Sequence, residues 1–112
     1  GETPIAPSAI PHAVFEVTNE TIVPEEMSRQ RIGATVAAFA QAALRAQKSG
    51  FDCVEIHAAH GYLISQFLTP FENRRTDEYG GSLEHRARFG LDVLRAVKSM
   101  GVGVCGGPLS LT

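Results

Sequence analysis

The feature that most constrains this chain is a helix-period stripe that stops at Gly50 and an alternating run that starts two residues later. Ile32, Val36, Phe39, Ala40 and Ala43 recur at the spacing of an amphipathic helix. Arg45 and Lys48 sit in the last turn, where cations complement the helix dipole. Gly50 is a stop signal. Asp52-Cys53-Val54-Glu55-Ile56-His57 then alternates polar with apolar residues, which predicts a strand. A helix that feeds straight into a strand is an αβ unit and predicts a parallel sheet. A second stripe, Leu83, Ala87, Phe89, Gly90, Val93, Leu94 and Val97, leads the same way into Val102-Gly103-Val104-Cys105. The expected order is a loop over 1–24, a helix over 25–49, a strand over 52–57, a loop over 58–82, a helix over 83–99 and the start of a strand over 102–105.

The boundaries come from local chemistry. Residues 1–24 hold four of the six prolines, and each removes an N–H and restricts the residue before it. This predicts a long irregular loop with His12 as a solvated histidine in it. Pro24-Glu25-Glu26 carries helix-start signals, a first-turn proline followed by acids. Ser82 is placed to cap the second helix. Between them Tyr62 to Leu68 is a short amphipathic piece.

A chain of 112 residues allows one domain at most. Its net charge of -2 gives no basic patch for nucleic acid. No apolar run approaches the roughly 20 residues that span a bilayer, so no membrane association is expected. Two cysteines cannot make a disulfide framework. A reduced, cytoplasmic setting is the default reading. The chain opens at Gly1 without a secretory pattern, so its numbering is expected to begin inside a longer protein or after processing.

The strand ends in chemistry. Side chains alternate along a strand, so His57 shares a face with Cys53 and Glu55, and Val54 and Ile56 face the other way. In parallel α/β folds, sites form at the C-terminal ends of strands. His57 stands at such an end, and His60 and Tyr62 follow in the loop. Imidazoles donate hydrogen bonds to a carbonyl oxygen and hold charge that develops there. A tyrosine hydroxyl suits a general acid for a carbon that has accepted a hydride. The opposing reading makes the histidines capping or loop residues and Tyr62 a core residue, and spacing alone leaves both open. A metal site is not expected, because no second ligand cluster and no HExxH motif accompany His57 and His60.

A longer pattern favours the site. Glu55-Ile56-His57-Ala58-Ala59-His60-Gly61-Tyr62-Leu63, Gln66-Phe67-Leu68, Asn73-Arg74-Arg75-Thr76-Asp77-Glu78-Tyr79-Gly80-Gly81-Ser82-Leu83-Glu84 and Arg86-Ala87-Arg88-Phe89 closely resemble the old yellow enzyme family. Ala6-Pro7-Ser8-Ala9-Ile10 resembles a further segment of it. The resemblance covers residues 5 to about 98. It implies an α/β fold, here a partial TIM (β/α)8 barrel from about strands 3/4 to the start of strand 5 with two helices. His57 would end the barrel's fourth strand, so that residues 1–112 are a fragment of one FMN-binding domain. It implies an FMN-dependent oxidoreductase that uses NAD(P)H to reduce the C=C bond of an α,β-unsaturated carbonyl compound.

The resemblance also assigns roles. His57 and His60 would bind the carbonyl oxygen and stand beside the cofactor. Many family members carry asparagine at the position of His60. Ala58 and Ala59 would complete the substrate-contacting stretch, and Tyr62 would donate the proton. The partner is a small molecule, and a homo-oligomer is compatible with the resemblance for the full-length parent. Arg74, Arg75, Asp77 and Glu78 are expected to form a salt-linked brace, and Arg86 and Arg88 to be solvated helix charges. One departure stands out. The family carries a flavin-contacting arginine in the strand after the second helix, and this chain reads Val102-Gly103-Val104-Cys105-Gly106-Gly107 with no arginine after Arg95. A whole barrel takes about 250 residues. The alternative expectation is therefore a catalytically incompetent fragment or remnant, supported also by the ending Cys105-Gly106-Gly107-Pro108.

Overall fold

A computed structural model describes residues 2–13 and 21–106. Residues 14–20, and Gly107 and Pro108 of the noted ending, lie outside the described residues, as does the side chain of His12. Four short strands come first: β1 (Ile5–Ala6), β2 (His12–Ala13), β3 (Thr21–Ile22) and β4 (Glu25–Glu26). β1 runs parallel to β4, with Ile5 opposite Glu25 and Ala6 opposite Glu26, and β2 pairs antiparallel with β3. The predicted irregular loop is thus partly paired. Met27 extends the first pairing by donating its N–H to the Ala6 carbonyl at 2.9 Å.

Helix α1 (Arg29–Lys48) begins four residues later than predicted. Glu25 and Glu26 are committed to β4. The Ser28 hydroxyl instead accepts from the Arg31 N–H at 3.0 Å, satisfying an N–H that has no partner within the helix. Two helices were expected, and α2 (Leu63–Leu68) is a third. Helix α3 (Leu83–Ser99) starts where Ser82 accepts from the His85 N–H at 3.2 Å.

The two predicted long strands meet only once. Val54 and Val104 form an isolated parallel bridge. The Val54 N–H donates to the Gly103 carbonyl at 3.0 Å, and the Cys105 N–H donates to the Val54 carbonyl at 2.8 Å. Among the described residues each segment has only the other to pair with, which limits the ladder. The bridge also corrects the reading of the cysteines. Cys53 and Cys105 lie diagonally across this bridge, with Cα atoms 5.8 Å apart, and a disulfide joins them.

The core lies where α1, α2 and α3 meet. Met27, Ile32, Ala43, Ile64, Phe67, Phe89, Val93, Val97 and Val102 form it. Phe89, Val93 and Val97 lie four residues apart on one face of α3 and are all buried. Phe89 stacks on Phe67 at 4.4 Å and meets Phe39 edge-on at 6.4 Å. Burial of one such side chain contributes about 1.5–3 kcal/mol. Leu83 departs from the predicted stripe and is 66% exposed. It occupies the first turn of α3, ahead of the point where the helix meets the core.

Candidate active site

The chain leaves the Val54 bridge, runs through His57 and reverses within three residues. His60 has φ 58° and Gly61 has φ 75°. Two consecutive left-handed residues give a sharp turn. Glycine adopts this region freely, whereas a residue with a Cβ does so at a cost of about 1–2 kcal/mol. Buried Ala59 anchors the near side of the turn, at 2% exposure. The Tyr62 N–H reaches back to the Ala59 carbonyl at 3.3 Å. Tyr62, in extended conformation, then caps α2.

This reversal gathers three rings. The His57 and His60 imidazoles lie 5.4 Å apart, and His57 lies 5.0 Å from the Tyr62 phenol. All three side chains are exposed. They are tilted against one another by 43° and 55°, so their polar edges are not locked together by stacking. Tyr62 is therefore no core residue. The arrangement offers two imidazole N–H donors and one phenolic O–H to an oxygen-bearing molecule at the surface.

The two alanines do not join the rings. Ala59 is buried. Ala58 turns to the other side, where an apolar cavity of about 290 Å³ is lined by Ile56, Ala58, Ile64, Leu94, Val104 and Cys105. The cavity and the ring cluster share only this strand end.

The stretch from Asn73 to Gly81 holds the surroundings rigid. Asn73 is buried, and its amide donates to the Phe67 and Tyr79 carbonyls at 2.8 Å each. Arg75 is buried as well. Its guanidinium donates to the Pro7 carbonyl at 3.0 Å, to the Met27 carbonyl at 2.6 Å and to both Asp77 oxygens at 3.0 and 2.6 Å. The hydrogen bond from Arg75 holds the Asp77 carboxyl below its ordinary range. Arg29 pairs with Glu78 at 2.8 Å, and the Arg74 N–H donates to the Ser8 hydroxyl at 2.8 Å. The expected salt-linked brace is present, and it reaches further than charge alone. Gly80 must be glycine here, since a Cβ would come within 2.5 Å of the Arg75 carbonyl.

Arg86 and Arg88 are not solvated charges. Arg86 donates to the Leu68 carbonyl at 2.8 Å and the Gly81 carbonyl at 2.6 Å, and Arg88 donates to the Glu78 carbonyl at 2.9 Å. Each satisfies main-chain oxygens that a helix end or loop leaves without partners. Sequence reasoning also passed over Gln66, whose amide donates to the Gly61 carbonyl at 2.8 Å.

A family profile described as NADH:flavin oxidoreductase / NADH oxidase matches residues 1–105. The chain belongs to this family. It is 48% identical over 100 residues to an NADPH dehydrogenase of Bacillus cytotoxicus, covering 89% of this chain and 28% of that protein. It is 50% identical over 97 residues to an NADPH dehydrogenase of Clostridium acetobutylicum, covering 87% and 27%. Among solved structures, morphinone reductase matches with a TM-score of 0.77 at 39% identity, over 92% of this chain and 31% of that one. An old yellow enzyme homologue from Zymomonas mobilis matches with a TM-score of 0.79 at 36% identity, over 88% and 29%. These neighbours are TIM barrels, and the α/β architecture here is a part of one. The chain spans 27–28% of the length of the NADPH dehydrogenases it matches.

FMN is the cofactor of the NADH:flavin oxidoreductase family. The residues present fit part of it. Exposed imidazole and phenol donors suit the polar edge of a flavin ring or a carbonyl held beside it.

Proposed function

We propose that His57, His60 and Tyr62 are the substrate-oxygen end of an FMN-dependent NAD(P)H oxidoreductase that reduces the C=C bond of α,β-unsaturated carbonyl compounds. The observation that carries this reading is that the exposed His60 and Tyr62 rings both lie within 5.4 Å of the exposed His57 ring at a strand end. His57 and His60 donate hydrogen bonds to the carbonyl oxygen. Donors already in place stabilise the enolate charge more than the neutral carbonyl, which lowers the barrel's barrier to reduction. Tyr62 gives its proton to the α-carbon. His57 and His60 are also the residues here that would stand beside the flavin, whereas Ala58 and Ala59 adjoin them in sequence and face away from the rings. FMN, when bound, supplies the hydride for the β-carbon, drawn from NAD(P)H. A cytoplasmic setting is part of this proposal, taken over from the sequence reading.

A second reading concerns the span alone. With 27–28% of its relatives' length and the 52–57 and 102–105 segments joined by one bridge among the described residues, this polypeptide by itself binds FMN poorly and turns nothing over. A yellow, enone-reducing preparation of the isolated chain is the result that contradicts it.

The catalytic reading is tested by replacing the matching segment of the Bacillus cytotoxicus NADPH dehydrogenase with residues 25–98 of this chain and measuring reduction of 2-cyclohexenone. The chimera is expected to be active. Replacing both histidines by alanine lowers kcat/KM by about 10²–10³-fold, and Tyr62→Phe lowers kcat by about 10²-fold. Unchanged rates in both variants contradict the assignment.

A further inference from the structure

We infer that Gln66 is a positioning residue for the ring cluster, holding the turn that aims His60 and Tyr62 toward His57. The inference rests on the reading of these rings as a substrate-oxygen site. Three observations lead to it. First, His60 is the only non-glycine described residue with positive φ, at 58°, and Gly61 follows at 75°. Such a pair is a conformation the chain does not hold by local preference. Second, the turn's own main-chain closure is long, with the Tyr62 N–H 3.3 Å from the Ala59 carbonyl. Third, the Gln66 amide reaches back from the second turn of α2 and donates to the Gly61 carbonyl at 2.8 Å.

The Gly61 carbonyl belongs to the peptide that joins the left-handed turn to Tyr62. Fixing its oxygen fixes the plane of that peptide, and with it the directions in which the residues on either side leave the chain. Gln66 itself is carried on α2, which is seated by buried Ile64 and Phe67. The contact therefore transmits the rigidity of the core to an exposed turn. The bond to Gly61 is a side-chain bond over five residues, so its loss leaves the helix ladder of α2 intact.

The test uses the full 112-residue chain and two variants. Ring-to-ring nuclear Overhauser contacts between His57 and Tyr62 and between His57 and His60 are measured, with circular dichroism and thermal unfolding alongside. In Gln66→Leu the ring contacts are expected to disappear while helix content and the unfolding midpoint stay near those of the parent. Gln66→Glu keeps the shape but donates to a carbonyl only when protonated. It is expected to show the parent's ring contacts at pH 4 and to lose them at pH 7, each compared with the parent at the same pH. Ring contacts that persist in Gln66→Leu overturn the inference. So does a general loss of folding in that variant, or a Gln66→Glu protein whose contacts ignore pH. Rings that respond as stated while the chimera above stays inactive leave the positioning role standing and overturn the functional reading instead.

Discussion

Arg75 shows how much one side chain carries here. Its guanidinium ties the segment after β1, Met27 ahead of α1 and the Asp77 carboxylate into one knot. Because the group is buried, at 5% side-chain exposure, removing it takes from Asp77 its main cation partner and from two carbonyls a donor. Arg75→Ala is expected to cost about 3–5 kcal/mol in urea unfolding. The pH dependence follows from the direction of the Asp77 shift. The folded carboxyl titrates below its ordinary 3.8, so the contribution is fully present above that value and is lost as pH falls through the folded one. Asp77→Asn is expected to weaken the protein at pH 6 and to flatten its loss of stability between pH 4 and pH 2. The opposite slope contradicts the assignment. The salt-linked character of this stretch was legible because its charges sit close together in sequence. The duties of Arg86 and Arg88 were not. Their partners are main-chain oxygens, and a sequence does not say which carbonyls a fold leaves unpaired.

At the scale of elements, the helices were readable and their starts less so. The α1 stripe emerges as predicted in buried Ile32, Ala40 and Ala43, because burial of an amphipathic face is a local pattern. Its beginning moved because Glu25 pairs with Ile5 across twenty residues, a non-local event that overrides first-turn signals. The strand ends were readable as alternation, yet the Val54–Val104 bridge and the Cys53–Cys105 disulfide, with its sequence separation of 52, depend on two distant segments meeting side by side. That disulfide is the main tie between them. Closing a loop of this length restricts the unfolded chain by about 4 kcal/mol. Reduction with a phosphine is therefore expected to lower the urea midpoint of the parent and leave Cys53→Ser unchanged. Equal sensitivity in both contradicts a structural bridge.

For the molecule as a whole, the family was legible and the completeness of its site was not. The run from Glu55 to Phe89 carried the resemblance, and the profile match over residues 1–105 places the chain in the flavin oxidoreductase family. The chain spans less than a third of the proteins it matches. The three rings of the proposed site lie within the described residues. The most direct measurement is a phenol titration of the flavin-loaded chimera, followed by absorbance at long wavelength. A charge-transfer band that rises with phenol and vanishes when His57 and His60 are both alanine is the predicted result. A band that survives that double substitution, or none in the parent chimera, would contradict an oxygen held by these two imidazoles.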